Sequence, residues 1–198
     1  FTTATNSFNT AIGHGAGLDV TTGTFNTLIG GLAGDALTSG NSNVAVGYGS
    51  LTTDTLGDRN VAIGVSALES QNFTTTTDSY NTAVGYTAGQ GVTTGVRNTF
   101  LGSFAGHATT TGFENVLVGY AAGDAIISGS NNVMVGVSVD PSSESVTNGI
   151  ALGVGFTVAS NDFSFGKAGN VVTNDFNADA DWSRSSDERL KKNITNQT

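Results

Sequence analysis

The sequence predicts an all-β fold: a parallel β-roll or β-solenoid of nine coils over residues 1–157, a small β cap or neck over 158–186, and a distinct C-terminal segment over 187–198. Three observations carry this reading. A short strand-like word recurs at a nearly constant step, glycines punctuate each period twice, and the composition is rich in Gly, Thr, Asn and Ser while poor in helix formers.

The recurring word is Asn, then Thr or Val, an apolar residue, Ile/Val/Leu and Gly. It reads NTAIG from Asn9, NTLIG from Asn26, NVAVG from Asn43, NVAIG from Asn60, NTAVG from Asn81, NTFLG from Asn98, NVLVG from Asn115 and NVMVG from Asn132, with GIALG from Gly149 as a ninth copy lacking the Asn. Its closing glycines are Gly13, Gly30, Gly47, Gly64, Gly85, Gly102, Gly119, Gly136 and Gly153, so seven steps are 17 residues and one is 21. The long step holds a four-residue insertion around Thr74 to Asp78, which a surface loop tolerates at small entropic cost. Seventeen residues is too short for a helical hairpin repeat and suits one solenoid coil.

A second glycine stands three residues before the Asn in six copies, Gly23, Gly40, Gly57, Gly95, Gly112 and Gly129. Two turn points per period imply two short strands per coil. Coils stacked at the strand spacing of ~4.8 Å would form a rod roughly 40 Å long. The Asn at the head of each strand is then expected to stack on its neighbours as a ladder, Asn9, Asn26, Asn43, Asn60, Asn81, Asn98, Asn115 and Asn132, its amide bonding turn backbone that lacks other partners.

Side chains alternate along a strand, so the first and third residues after the Asn share one face and the second takes the other. The third is Ile, Val or Leu in every copy, and this face is read as the interior of the coil. The second is also apolar throughout: Ala11, Leu28, Ala45, Ala62, Ala83, Phe100, Leu117, Met134 and Ala151. A strand apolar on both faces is covered on both. The second-position file is therefore expected to be an inter-chain seam, its small Ala positions allowing three copies to approach in a homotrimer, with a monomeric solenoid of thicker interior as the alternative.

Composition bounds the partners. Charged residues make up 12%, Gly numbers 28 and Pro one, and only Asp187 to Asn193 has ordinary helix-forming content. The net charge of -9, with no basic stripe, argues against nucleic acid. Arg184, Arg189, Lys191 and Lys192, four of the seven basic residues, fall in the last fifteen positions. No apolar run is long enough to span a membrane, and the absence of Cys excludes disulfides and thiolate metal sites. Phe1 lies inside a repeat, which suggests a piece of a longer polypeptide.

Two resemblances follow from these residues. The NTAIG and NVAVG words, over about residues 6 to 157, resemble the head repeats of trimeric autotransporter adhesins, which implies left-handed parallel β-rolls packed as trimers. The segment SSDERLKKNI, Ser185 to Ile194, resembles the start of the endosialidase-type intramolecular chaperone domain at the C-terminus of phage tail fibres and tailspikes. That family implies trimerisation by the chaperone followed by its removal, with the cut here between Ser186 and Asp187 and Lys191 as the basic partner. Ser186 attacking its own carbonyl would close a four-membered ring, so water or a neighbouring chain enters such a step. An uncut tail leading into a further domain is the alternative.

Residues 158–186 break the 17-residue pattern. NDFSFG from Asn161 echoes the word at a step of 13, and KAGNVVTNDFN reads as a hairpin turning at Gly169-Asn170, with Phe176 and Trp182 as the expected core of the cap.

Other candidate chemistry is weaker. The clusters GHGAG at Gly13 and GGLAG at Gly30 read as turn glycines in register with the coil rather than phosphate loops. His14 and His107 have no spaced second ligand, Asp19, Asp35, Asp124 and Asp140 drift in register, and no metal or other cofactor is expected. Tyr48, Tyr86 and Tyr120 share the position just after the closing Gly and could stack on sugar faces, although rings packed over a turn are the plainer reading. A substrate enzyme is not expected, since a polysaccharide-degrading tailspike would need carboxylate pairs across a groove. The expected role is a structural and adhesive trimeric fibre of a phage virion, extracellular, partnered by itself and by a host glycan or protein receptor. A bacterial cell-surface adhesin or filament subunit is the alternative.

Overall fold

A computed structural model describes residues 7–177. Among them there is no helix, and the chain forms a β-solenoid of about nine turns. The strands are β1 (Thr10–Ile12), β2 (Thr27–Ile29), β3 (Val44–Val46), β4 (Gly57–Asp58), β5 (Val61–Ile63), β6 (Thr77–Asp78), β7 (Thr82–Val84) and β8 (Thr99–Leu101). They continue as β9 (Val116–Val118), β10 (Val133–Val137), β11 (Asp140–Pro141), β12 (Ile150–Val154), β13 (Thr157–Val158), β14 (Asp162–Lys167) and β15 (Asn170–Asp175).

Eleven of these form one sheet in the order β1-β2-β3-β5-β7-β8-β9-β10-β12-β14-β15. Every pair but the last is parallel, and the register sets word on word: Ala45 lies opposite Ala62, Phe100 opposite Leu117, and Gly136 opposite Gly153. The 13-residue step keeps this register, placing Gly153 opposite Gly166, after which β15 folds back antiparallel on β14. The hairpin turns at Ala168-Gly169, one residue earlier than the Gly169-Asn170 expected, with Lys167 paired to Asn170 and Gly169 at φ 83. Phe176 is half exposed, so it is not the core residue expected, while Trp182 lies outside the described residues.

The expected faces of the strand are inverted. Leu28, Ala45, Ala62, Ala83, Phe100, Leu117, Met134 and Ala151 are all fully buried within the single chain, so the second-position file fills the coil and cannot be an inter-chain seam. Ala11 begins the same file, paired with Leu28, but is exposed in the first coil. The third-position residues point outward instead: Ile12, Ile63, Leu101, Val135 and Leu152 are exposed, and Ile29, Val46, Val84 and Val118 are half-buried. Alternation fixes only that the two files oppose each other. The inward direction is set by the Asn, two residues before the second position and hence on its face, and Asn26 to Asn132 are buried.

The two-strand coil is also corrected. Away from the sheet the coils stack mainly as turns, with short second-wall strands only where β4 pairs β6 and β11 pairs β13. The second and fourth residues after the closing Gly take left-handed conformations, as at Leu32 (φ 57), Leu51 (φ 54) and Phe104 (φ 62), which extended strands cannot contain. Coil-to-coil bonds persist there nonetheless, from Gly34 N–H to Ser50 O at 2.9 Å and from Gly89 N–H to Ala105 O at 2.9 Å. The closing glycine itself is obligatory: at Gly119 (φ 129) an added Cβ would lie 1.9 Å from the Gly136 carbonyl oxygen.

The core is balanced across several coils. In the coils of Leu28, Phe100 and Leu117 the fourth residue after the closing Gly is itself Gly: a Cβ on Gly34 would meet Leu28 at 2.8 Å, one on Gly106 would meet Phe100 at 2.2 Å, and one on Gly123 would meet Leu117 at 2.7 Å, whereas the coil of Met134 has Asp140 there. In the coils of Ala45 and Ala62, that wall position holds Leu51 and Leu68, both fully buried. Each of these two leucines accepts a left-handed backbone costing about 1 kcal/mol, which is less than the roughly 2–5 kcal/mol a leucine-sized void would cost.

Candidate functional site

Two linear features run the length of the solenoid, a buried asparagine ladder and an exposed apolar face. The ladder is built from a repeated two-point contact. Asn98 Oδ1 accepts from Asn115 N–H at 3.0 Å while Asn98 Nδ2 donates to the Gly112 carbonyl of the next coil at 2.8 Å. The same pair of bonds joins Asn26 to Asn43 and Gly40, Asn43 to Asn60 and Gly57, Asn81 to Asn98 and Gly95, and Asn115 to Asn132 and Gly129. Asn9 opens it on Asn26 and Gly23, and Asn132 closes it on Gly149 and Val146. Where a glycine stands three residues before the Asn, the neighbouring coil can pass close: a Cβ on Gly95 would lie 2.3 Å from the Gly112 oxygen.

Asn60 departs from this pattern, because the insertion displaces the carbonyl its amide would reach. Its Oδ1 accepts from both Asn81 N–H and Ser79 Oγ, while its Nδ2 keeps only the bond back to the preceding Asn, Asn43 Oδ1, that Asn115 and Asn132 also make. A buried polar group replaces the missing contacts. Asp54 accepts from Gln71 Nε2 at 2.6 Å, from Gly57 N–H at 3.0 Å and from Phe73 N–H at 3.3 Å, and Gln71 Oε1 accepts from Asn81 Nδ2 at 2.8 Å. Asp54 and Gln71 are fully buried in a file that holds Val20, Leu37, Val92 and Ile126 in other coils and one further buried polar residue, Thr109. Burial raises the Asp54 pKa above the usual carboxylate range, against the pull of the Gln71 and backbone bonds.

A second ladder, on the wall opposite the sheet, escaped the sequence reading. Thr21 Oγ1 donates to Thr38 O at 3.0 Å, Thr38 Oγ1 to Thr55 O at 3.1 Å, Thr93 Oγ1 to Thr110 O at 3.2 Å and Thr110 Oγ1 to Ile127 O at 3.2 Å. Its signal was a Thr eight residues after the closing Gly in five coils, Thr21, Thr38, Thr55, Thr93 and Thr110.

On the exposed side of the sheet, first-position Thr or Val and third-position Ile, Val or Leu make a continuous face. Beyond the closing glycines, in the turns that follow the strands and outside the sheet, stand Tyr48, Tyr86 and Tyr120, all more than half exposed. Tyr86 and Tyr120 both pack edge-to-face on Phe104, at 5.4 Å and 5.7 Å between centroids, and the His107 ring lies 5.9 Å from Phe104. His107 Nε2 contacts Gln90 Oε1 at 3.0 Å, and Gln90 Nε2 donates to the Glu69 carboxylate. Tyr48 packs over Gly31 with no ring partner among the described residues.

Asp124 and Asp140 come together near the C-terminal end. Burial first, and the Asp124 carboxylate second, push the Asp140 pKa up to about 6, and Asp140 Oδ1 is buried without a hydrogen-bond partner among the described residues. Asp19 and Asp35 do not join this pair, and Asp35 instead accepts from the Thr52 hydroxyl. Among the described residues no group of three His, Cys, Asp or Glu side chains could hold a metal ion, and no helix is long and apolar enough to cross a membrane. Ser186, Asp187 and Lys191 lie outside the described residues. No protein-family model matches the chain, and neither the curated proteins nor the solved structures returned a match.

Proposed function

We propose that this chain is the shaft of a homotrimeric phage tail fibre that serves in host attachment on the virion, assembled through the outer face of its sheet. The observation that carries the reading is the third-position file: Ile, Val or Leu in all nine copies, aligned strand over strand and turned away from the coil's own core. Area alone decides little, since a face roughly 40 Å long and 10 Å wide is within what a monomer exposes. Uniformity decides more. A solvent-facing strand file usually carries polar residues, whereas a flat file of β-branched and Leu side chains packs against a like file, and rotation about an axis parallel to the rod brings three identical faces together. The resemblance of SSDERLKKNI to a tail-fibre chaperone junction supports the viral setting, and the resemblance of the repeat words to adhesin heads keeps a bacterial surface adhesin as the second reading.

Multi-angle light scattering on the purified chain tests the assembly. The expected mass is three times that of the 20.0 kDa chain, and a single-chain mass at every concentration would remove the basis for a fibre. Mass spectrometry of the mature C-terminus separately tests a cut between Ser186 and Asp187.

A further inference from the structure

We infer that Tyr86, Phe104 and Tyr120, with the polar side chains of Glu69, Gln90 and His107, form a binding platform for a neutral, extended oligosaccharide. The inference gives the attachment role proposed above its ligand class, and it rests on that reading.

Four features of the cluster point to a sugar. The first is pre-organisation. Tyr86 and Tyr120 stand at 71° and 74° to Phe104 and are held by edge-to-face contact, yet are 52% and 55% exposed, so a ligand meets rings already fixed. The second is spacing. Tyr86 and Tyr120 lie two coils apart, roughly 10 Å along the rod, which suits alternate units of an extended chain of equatorially linked sugars. The third is the ring itself: the second position after the closing Gly is left-handed in every described coil, at Leu32, Ser66, Thr87, Ala121 and Ser138 as well as at Phe104, and only at Phe104 does it carry an aromatic side chain.

The fourth is the adjoining row of polar groups. Because Gln90 Nε2 donates to Glu69, its Oε1 faces His107, and the contacting His107 Nε2 carries the proton. His107 Nδ1 and the second Glu69 oxygen are then left as acceptors for hydroxyls beside rings that take the C–H faces. Within the net charge of -9, this row holds a carboxylate and neither Lys nor Arg, which disfavours sialylated or uronic acid chains and selects an uncharged glycan. Tyr48 has the same exposure without the Phe104 counterpart, and it serves as the internal control.

The test is saturation-transfer NMR and calorimetric titration of the full chain with chitopentaose and cellopentaose, with polysialic acid as the anionic comparison. Expected are transfer to at least one neutral pentasaccharide, a Kd on the order of 1 mM or tighter, and none to polysialic acid. Tyr86→Ala and Tyr120→Ala should each weaken binding about tenfold, as loss of one stacking ring implies, while Tyr48→Ala binds as wild type and circular dichroism shows all three folded. No transfer to either neutral probe by a folded wild-type chain, or equal affinity in Tyr86→Ala and wild type, overturns the platform. Light scattering on the same samples separates this from the fibre reading: a trimer that binds no sugar sinks the platform alone. If Tyr86→Ala dissociates the trimer while wild type binds no sugar, a second copy covers the rings and the platform is equally overturned.

Discussion

The coils from Asn81 to Asn132 and the coil that carries the insertion meet one demand by different means. In the regular region each step is 17 residues, and one Asn side chain bonds both the next Asn N–H and the next Gly carbonyl. Across the insertion the step is 21, Asn60 reaches no carbonyl of the following coil, and Asp54, Gln71 and Ser79 supply the bonds from within the core. The solenoid thus tolerates a change of period only where buried polar side chains replace those its ladder loses. Such replacement carries a cost, since a carboxylate in a mostly apolar file must be desolvated.

Substitutions can break this contrast at its regular end first. Gly119→Ala should be the most damaging, by on the order of 4 kcal/mol or more, because the new Cβ meets the Gly136 carbonyl oxygen and the φ of 129 suits glycine alone. Guanidinium unfolding checks it, and a loss below about 1 kcal/mol would mean that neighbouring coils separate freely. Asn98→Ala should cost about 2–5 kcal/mol, leaving both the Asn115 N–H and the Gly112 carbonyl unpartnered in the core. Asn60→Ala should cost less by about 1 kcal/mol, since no next-coil carbonyl depends on it.

A cycle then tests the repair itself. Asp54→Leu with Gln71→Val should destabilise the intact chain by orphaning Gly57 N–H and Phe73 N–H and by removing one of the two acceptors of Asn81 Nδ2, which keeps the Gly95 carbonyl. The same pair should be neutral or stabilising once Thr74 to Thr77 are deleted and the step returns to 17. A coupling of about 1–3 kcal/mol is expected, and additivity would show that the insertion and the buried polar group are unrelated.

The smallest effect concerns Asp140. Its folded pKa lies above its unfolded value, so the folded chain holds a proton that the unfolded chain releases, and stability falls as pH rises from about 4 through about 6. Asp140→Asn should therefore raise the melting temperature at pH 7.5 by a few degrees at most, with the gain fading toward pH 4. A gain that persists at pH 4 would point to packing rather than charge.

Much of this fold was legible in one sequence because a 17-residue word fixes strand, register and coil number together. Which face turned inward was misread, although the signal was present. Within a repeat, Leu28, Phe100 and Leu117 are accompanied by Gly34, Gly106 and Gly123, while Ala45 and Ala62 are accompanied by Leu51 and Leu68. In those five coils the exchange of volume marks second-position residues as partners inside one core, although Ala11 and Ala83 stand with Gly17 and Gly89 and Met134 with Asp140, and a constant Ile/Val/Leu file gives no such mark. The left-handed turns at Leu32, Phe104 and Ala121 were hidden because nothing but glycine advertises such a backbone in sequence, and there the stacked coil overrides local preference. The tyrosine file was legible from its place after the closing Gly, whereas its packing on Phe104 and the row of Glu69, Gln90 and His107 were hidden, since only the stack brings those coils together.

Sedimentation velocity on the wild-type chain, Leu101→Lys and Ala62→Lys, each followed by circular dichroism, tests the reversed faces most directly. The account predicts a wild-type trimer, a folded single chain for Leu101→Lys, and lost β signal for Ala62→Lys, whose charge enters the coil's own core. A Leu101→Lys chain that remains trimeric, or an Ala62→Lys chain that dissociates while keeping its fold, would contradict it.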